Sequence, residues 1–167
     1  MKNKIYIVSE PIQSGKTTMI WQWINNFTEK SVGGILTPDI DGFRKLLDLE
    51  TGKVYNLQLP SYQNGLAIGR FVFDNVVFKT ARQIILTAKS GKFKWFVIDE
   101  IGRLEIDQKN GLEPAISEVI KYFKETPSPT RLILVIRDYL LNDALKHYGI
   151  THFDILDKAF FKNTIKC

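Results

Sequence analysis

Two runs of the chain, Trp95-Phe96-Val97-Ile98 and Leu132-Ile133-Leu134-Val135-Ile136, are apolar at every position. A strand with one face in water alternates, so unbroken runs predict strands covered on both faces, as in a parallel sheet between two layers of helices. Ile5 to Val8 and Ile35-Leu36 are further short apolar runs, and Phe153 to Leu156 predicts a last strand. Between them apolar residues recur at helical spacing. The first such stripe is Met19, Ile20, Trp23, Ile24 and Phe27, beginning at Lys16. The second is Val77, Phe78, Ala81, Ile84, Ile85 and Ala88, stopped by Ser90-Gly91. A third runs Leu112, Ala115, Ile116, Val119, Ile120 and Phe123, with Pro114 in its first turn and Thr126-Pro127-Ser128-Pro129 beyond it, and a fourth holds Leu140, Leu141, Ala144 and Leu145. This alternation predicts a three-layer α/β fold with a mostly parallel sheet. Arg44 to Leu59 reads as a small β-hairpin inserted after the second strand, turning at Glu50-Thr51-Gly52-Lys53; Phe71-Val72-Phe73 can add a strand to it, after a segment from Pro60 to Gly69 with no clear period. Arg44-Lys45, at the hairpin's start, reads as a solvated edge.

Length and composition bound the function. At 167 residues one domain spanning 1–167 is expected, with a core large enough to need no staple. The single Cys is residue 167 and the only imidazoles are His147 and His152, so neither an internal disulfide nor a Cys-built zinc site can form. The apolar run at Ile5 is too short for a signal peptide's core, and no stretch approaches the roughly 20 apolar residues of a membrane span. A reducing cytoplasm and no membrane partner are expected. Lys and Arg number 23 against 18 Asp and Glu, a formal charge of +5. Such a surplus suits nucleic acid or a smaller polyanion. The aromatics Trp23, Phe27, Phe78, Trp95 and Phe96 fall at core positions, however, so nucleic acid is the weaker expectation.

The polyanion reading has a motif. Ser14-Gly15-Lys16-Thr17-Thr18 follows an apolar strand and opens an amphipathic helix, the setting a phosphate-binding loop requires. Backbone N–H groups from Gln13, Ser14, Gly15, Lys16, Thr17 and Thr18 would cradle phosphates, Lys16 would reach the β- and γ-phosphates, and Thr17 would hold Mg²⁺. The pattern G-x-x-x-x-G-K-[ST] asks for glycine where this chain has Glu10. Most phosphate donors come from the later part of the loop, which Pro11 precedes.

A second motif completes the first. The strand ending in Asp99-Glu100 offers Asp99 to Mg²⁺, through water, and Glu100 to the water that attacks the γ-phosphorus. An apolar strand with such an end is expected beside the loop-bearing strand. Arg103 follows closely and Arg137 ends the next apolar strand. Either can stabilise charge on the γ-phosphoryl oxygens, or pair with a neighbouring carboxylate such as Glu105 or Asp138.

Taken together, Gly15-Lys16-Thr17-Thr18, Gly33-Gly34-Ile35, the turn within Asp48 to Tyr55, and Asp99-Glu100-Ile101-Gly102-Arg103-Leu104-Glu105 resemble the cancer-related nucleoside-triphosphatase family of small P-loop enzymes over nearly the whole chain. The resemblance implies hydrolysis of nucleoside 5′-triphosphates to diphosphate and phosphate, with Mg²⁺ and broad base tolerance, and family roles for Lys16, Thr17, Asp99 and Glu100. That family usually has Gly at the positions of Glu10 and Gln13. Two other activities fit the residues: a nucleotide-binding adaptor with little turnover, and a small-molecule kinase whose acceptor pocket is shaped by Pro60 to Asp74. The oligomeric state, and whether a neighbouring copy supplies an arginine, stay open.

Overall fold

The computed structural model describes residues 4–11, 14–26 and 31–163; Gln13, Phe27 and Cys167 lie outside them. The chain order is β1 (Ile5–Val8), α1 (Lys16–Asn25), β2 (Val32–Leu36), β3 (Asp39–Ile40), β4 (Phe43–Asp48), β5 (Val54–Asn56), β6 (Gln58–Leu59), β7 (Leu66–Ile68), β8 (Phe71–Phe73), α2 (Asn75–Leu86), β9 (Trp95–Ile101), α3 (Arg103–Ile106), α4 (Ala115–Glu125), β10 (Arg131–Ile136), α5 (Leu141–Tyr148), β11 (Asp154–Ile155) and α6 (Lys158–Asn163). The main sheet runs β11-β1-β10-β9-β2-β4-β3, with β5 also on β4. Its first five strands are parallel, and β4 lies antiparallel to β2.

The unbroken apolar runs are explained by where alternate side chains go. From β9 and β10, Phe96, Ile98, Leu132, Leu134 and Ile136 join one core cluster, which also holds Phe78 and Ile85 of α2, Ile116 and Val119 of α4 and Ala144 of α5. Trp95, Val97, Ile133 and Val135 point the other way, into a second cluster with Ile20 and Trp23 of α1 and Phe161 of α6. The sheet is therefore covered on both faces, and the two clusters are the two interfaces of a three-layer fold. Each large apolar side chain so buried contributes about 1.5–3 kcal/mol. Trp23 packs edge-on against Trp95 and Phe161, with ring centroids 5.6 and 5.4 Å apart. Four of the aromatics that nucleic acid would need exposed, Trp23, Phe78, Trp95 and Phe96, are buried here.

Several local expectations change. The strand expected beside β1 does not neighbour it: β10 intervenes between β1 and β9. Asp99-Glu100 does not end its strand either, since β9 continues to Ile101. The hairpin of β4 and β5 forms, but it is hydrogen-bonded into the main sheet through β2, because Leu46 and Leu47 carry enough apolar surface to be buried there. Phe71–Phe73 joins neither hairpin strand; it is the centre of a separate antiparallel sheet, β6-β8-β7, whose third strand lies in the segment that showed no period. The short helices α3 and α6 have too few residues to show a helical period. Among the described residues no helix is long and apolar enough to cross a membrane.

The Gly33-Gly34 pair shows how tightly the centre of the sheet is built. Gly34 has φ +101°, and a Cβ there would lie 2.0 Å from the Val97 carbonyl oxygen of β9. Only glycine fits, both for its backbone angle and for the approach of the neighbouring strand. Gly34→Ala should cost about 3 kcal/mol, seen as a lowered midpoint in urea unfolding; an unchanged midpoint would contradict this packing.

Candidate functional site

The site lies at the C-terminal edge of the parallel strands, where β1, β9 and β10 give way to loops. The turn into α1 needs glycine: Gly15 has φ +79°, and a Cβ there would meet nothing within 4 Å, so the restriction is conformational. No side chain caps α1 and no acidic residue occupies its first turn. Its first N–H groups and the positive end of its dipole therefore stay available to an anion. Lys16 Nζ donates to the carbonyl oxygens of Glu10 at 3.0 Å and Pro11 at 3.1 Å, folding over the loop. The buried Ser14 hydroxyl has no hydrogen-bond partner among the described residues. An open groove of about 400 Å³ beside it is lined by Gly15, Thr18, Met19 and Lys158. Gln13, the first residue expected to donate to phosphate, lies outside the described residues.

The other half comes from a bulge. The pairing of β9 with β10 slips between Leu134 and Ile136, so that Asp99-Glu100 stands opposite Val135 alone. A bulge re-aims the side chains it carries. Here Glu100 adopts φ +67°, a left-handed conformation that costs a non-glycine residue roughly 1–3 kcal/mol. The two consecutive carboxylates then go to different partners. Asp99 is 1% exposed, and its Oδ2 accepts from the Thr17 hydroxyl at 2.8 Å, the Thr37 N–H at 3.0 Å and the Thr37 hydroxyl at 3.2 Å. Glu100 accepts from Arg44 Nη1 at 2.6 Å on Oε2 and from Arg137 Nη2 at 2.8 Å on Oε1. Arg44 is in turn held by Asp39, with Nε donating at 2.8 Å.

These surroundings push the two acids apart. Burial, together with the neighbouring Glu100 charge, raises the pKa of Asp99 despite its bonds from Thr37 and Thr17. Burial also acts to raise Glu100, but the guanidinium groups of Arg44 and Arg137 outweigh it and leave that carboxyl below its ordinary value. Asp99 thus makes no ion pair among the described residues, whereas Glu100 has two.

Six of the expected site residues come together here, Ser14, Gly15, Lys16 and Thr17 from the α1 turn and Asp99 and Glu100 from the bulge; Thr18 follows in the first turn of α1. Arg137 joins them through Glu100, not through Asp138. Arg103 does not reach the cluster: its guanidinium carbon lies 5.3 Å from the Tyr139 ring centroid and it donates to Asp107 at 3.3 Å. Arg44 corrects the expectation of a solvated edge. Its side chain is 26% exposed and spans from β4 to Glu100. Period-two alternation was the available signal, since it puts Arg44 on the strand face of Leu46, which is fully buried. Thr37 and Asp39 were missed as well: nothing local marks the contact of Thr37 with a residue 62 positions away, and Asp39 reaches the site only through Arg44.

The atoms with free lone pairs that meet at Thr17, Thr37 and Asp99 are oxygens. No group of three or more His, Cys, Asp or Glu among the described residues is placed to hold a metal. A hard cation of the Mg²⁺ type needs fewer protein ligands, because it keeps several waters and takes substrate phosphates. Thr17 gives its proton to Asp99, so the hydroxyl lone pairs remain free for such an ion, and Asp99 lacks the positive partner that an ion would provide. The donor set fits.

A glycine turn opening α1 with its N–H groups uncapped, joined through Thr17 to a carboxylate in the bulge of β9, is the arrangement of the P-loop nucleotide-binding class. The family model described as NTPase matches residues 4–155, and the chain belongs to that family. No curated protein matches the sequence. Among solved structures, THEP1 from the hyperthermophile Aquifex aeolicus is similar in fold, with a TM-score of 0.67 at 19% identity, over 92% of this chain and 88% of that one.

Glu105 ties the bulge to the rest of the fold. It is 3% exposed and accepts from the Gly102 N–H at 3.0 Å and the Leu112 N–H at 3.3 Å. Burial, less the effect of those two bonds, raises its pKa from 4.5 to about 7. A carboxyl raised by folding binds more protons in the native state than in the unfolded one across that interval. Its contribution is complete below pH 4.5 and is lost as pH rises through about 7. Stability should therefore fall by up to about 3 kcal/mol between those limits, and Glu105→Gln should flatten that part of the curve. Parallel pH profiles for the two proteins in chemical unfolding would refute this.

Proposed function

We propose that the chain hydrolyses nucleoside 5′-triphosphates to diphosphate and phosphate in a Mg²⁺-dependent reaction, residues 1–167 acting as one cytoplasmic nucleoside-triphosphatase domain. The observation that carries this reading is the Thr17–Asp99 hydrogen bond, which joins the phosphate-binding turn to the carboxylate strand with Glu100 as the next residue. NTPase-family membership supports nucleotides as the substrate class.

In this mechanism the α1 N-terminus and the loop N–H groups bind the β- and γ-phosphates, and Lys16 exchanges its two carbonyl partners for phosphate oxygens. Thr17 and, through water, Asp99 are the residues that would hold Mg²⁺, whose part is to neutralise charge on the phosphate oxygens. Glu100 orients a water against the γ-phosphorus and accepts its proton as the new P–O bond forms and the bond to the β–γ bridging oxygen breaks. Arg137 keeps Glu100 ionised by balancing its burial. Arg103, sharing Tyr139 with Arg137, carries positive charge at the mouth of the site, where it favours entry of a polyanion.

Purified protein should release phosphate from a panel of four nucleoside triphosphates only when Mg²⁺ is added. Lys16→Ala and Glu100→Gln should each lower kcat by about 10²-fold or more. Release from none of the four, or an unchanged rate with Glu100→Gln, would overturn the proposal; tight binding without turnover would favour an adaptor.

A further inference from the structure

Both oxygens of Glu100 are engaged. Arg137 occupies Oε1 and Arg44 occupies Oε2, and Oε2 also lies 3.5 Å from the Thr37 hydroxyl. A carboxylate engaged in this way is poorly placed to take a proton from water, because both oxygens already accept charge-assisted hydrogen bonds. Which of the two arginines must move follows from which oxygen each holds. The Thr37 hydroxyl that neighbours Oε2 also donates to Asp99 Oδ2, and the Thr17 hydroxyl donates to that same atom. Oε2 therefore faces the Thr17–Asp99 pair, where a terminal phosphoryl group has to sit, whereas Oε1 faces β10.

We propose that Arg44 is the residue that reads the γ-phosphoryl group: without nucleotide it latches Glu100, and a bound triphosphate draws its guanidinium off Oε2, leaving that oxygen free for water. This rests on the triphosphatase reading above and adds to it a residue that tells triphosphate from diphosphate. Three features suit Arg44 to the part. Asp39 grips Nε and, at 3.4 Å, Nη2, so the guanidinium is anchored on one side while Nη1 alone meets Glu100. Arg44 and Asp39 both belong to the edge unit of β3 and β4, outside the parallel strands that carry the loop and the bulge. A doubly charged terminal phosphoryl also outcompetes a single carboxylate for a guanidinium, and a diphosphate has no group at that place. Arg137 meanwhile stays on Oε1, so Glu100 is never left buried without a counter-charge.

The experiment measures calorimetric binding of ADP and of a non-hydrolysable ATP analogue, both with Mg²⁺, beside steady-state turnover, for wild type, Arg44→Ala and Arg44→Lys. Wild type should bind the triphosphate analogue more tightly than ADP. In Arg44→Ala that preference should shrink by about tenfold while ADP affinity is kept, and kcat should fall by about 10²–10³-fold, because the guanidinium that moves onto the γ-phosphoryl oxygens and offsets their charge is lost with the latch; Arg44→Lys should recover part of both. Retained ADP binding shows that the variant's site is folded. An unchanged triphosphate preference, a kcat within about threefold of wild type, or an equal loss of ADP and triphosphate binding would each overturn the role of Arg44. If wild type itself turns over no triphosphate, the triphosphatase reading fails instead.

Discussion

A single carboxylate oxygen holds the site together. Oδ2 of Asp99 accepts three hydrogen bonds, from the Thr17 hydroxyl, the Thr37 N–H and the Thr37 hydroxyl, and so ties the first turn of α1 and the end of β2 to the bulge in β9. Burying a carboxylate is costly unless its hydrogen-bonding capacity is met, and here the residues that meet it are those that have to be brought into register. Removing one donor would leave a buried acceptor short, so the bond network and the geometry of the loop stand or fall together.

The strand order explains why two adjacent acids can do different work. With β10 between β1 and β9, the end of β10 delivers Arg137 to one oxygen of Glu100, and the antiparallel edge delivers Arg44 to the other. Asp99, turned toward α1, receives hydroxyls and an amide but no guanidinium. One residue's difference along a bulged strand thus separates an acid whose pKa burial raises from one whose pKa two cations lower. Just beyond the bulge the Gly102 N–H is fastened to Glu105, which also accepts from the Leu112 N–H.

Much of this was legible in the residues. The layers could be read because both-face burial leaves unbroken apolar runs, and the α1 turn because Gly15-Lys16-Thr17-Thr18 falls between a strand and a helix. What was not legible is long-range. Nothing near Arg44 announces a carboxylate 56 residues on, and the order of parallel strands leaves no mark on any one strand, so β10 between β1 and β9 could not be seen. β7, as short as β8, was hidden because Leu66-Ala67-Ile68 carries fewer of the aromatic and β-branched residues that mark Phe71-Val72-Phe73 as a strand. Arg103 and Arg137 looked alike in sequence; a strand end and a helix start send them to different partners.

In the proposed reading Thr17 and Asp99, brought together from distant parts of the chain, form the protein's share of a divalent-cation site that a triphosphate completes. Paramagnetic Mn²⁺, followed by electron spin resonance in the presence of a non-hydrolysable triphosphate, reports on this directly. Wild type should take up one ion per chain only when the triphosphate is present, and Asp99→Asn and Thr17→Ala should each weaken uptake by about tenfold or more. Uptake that is the same in wild type and Asp99→Asn would contradict it.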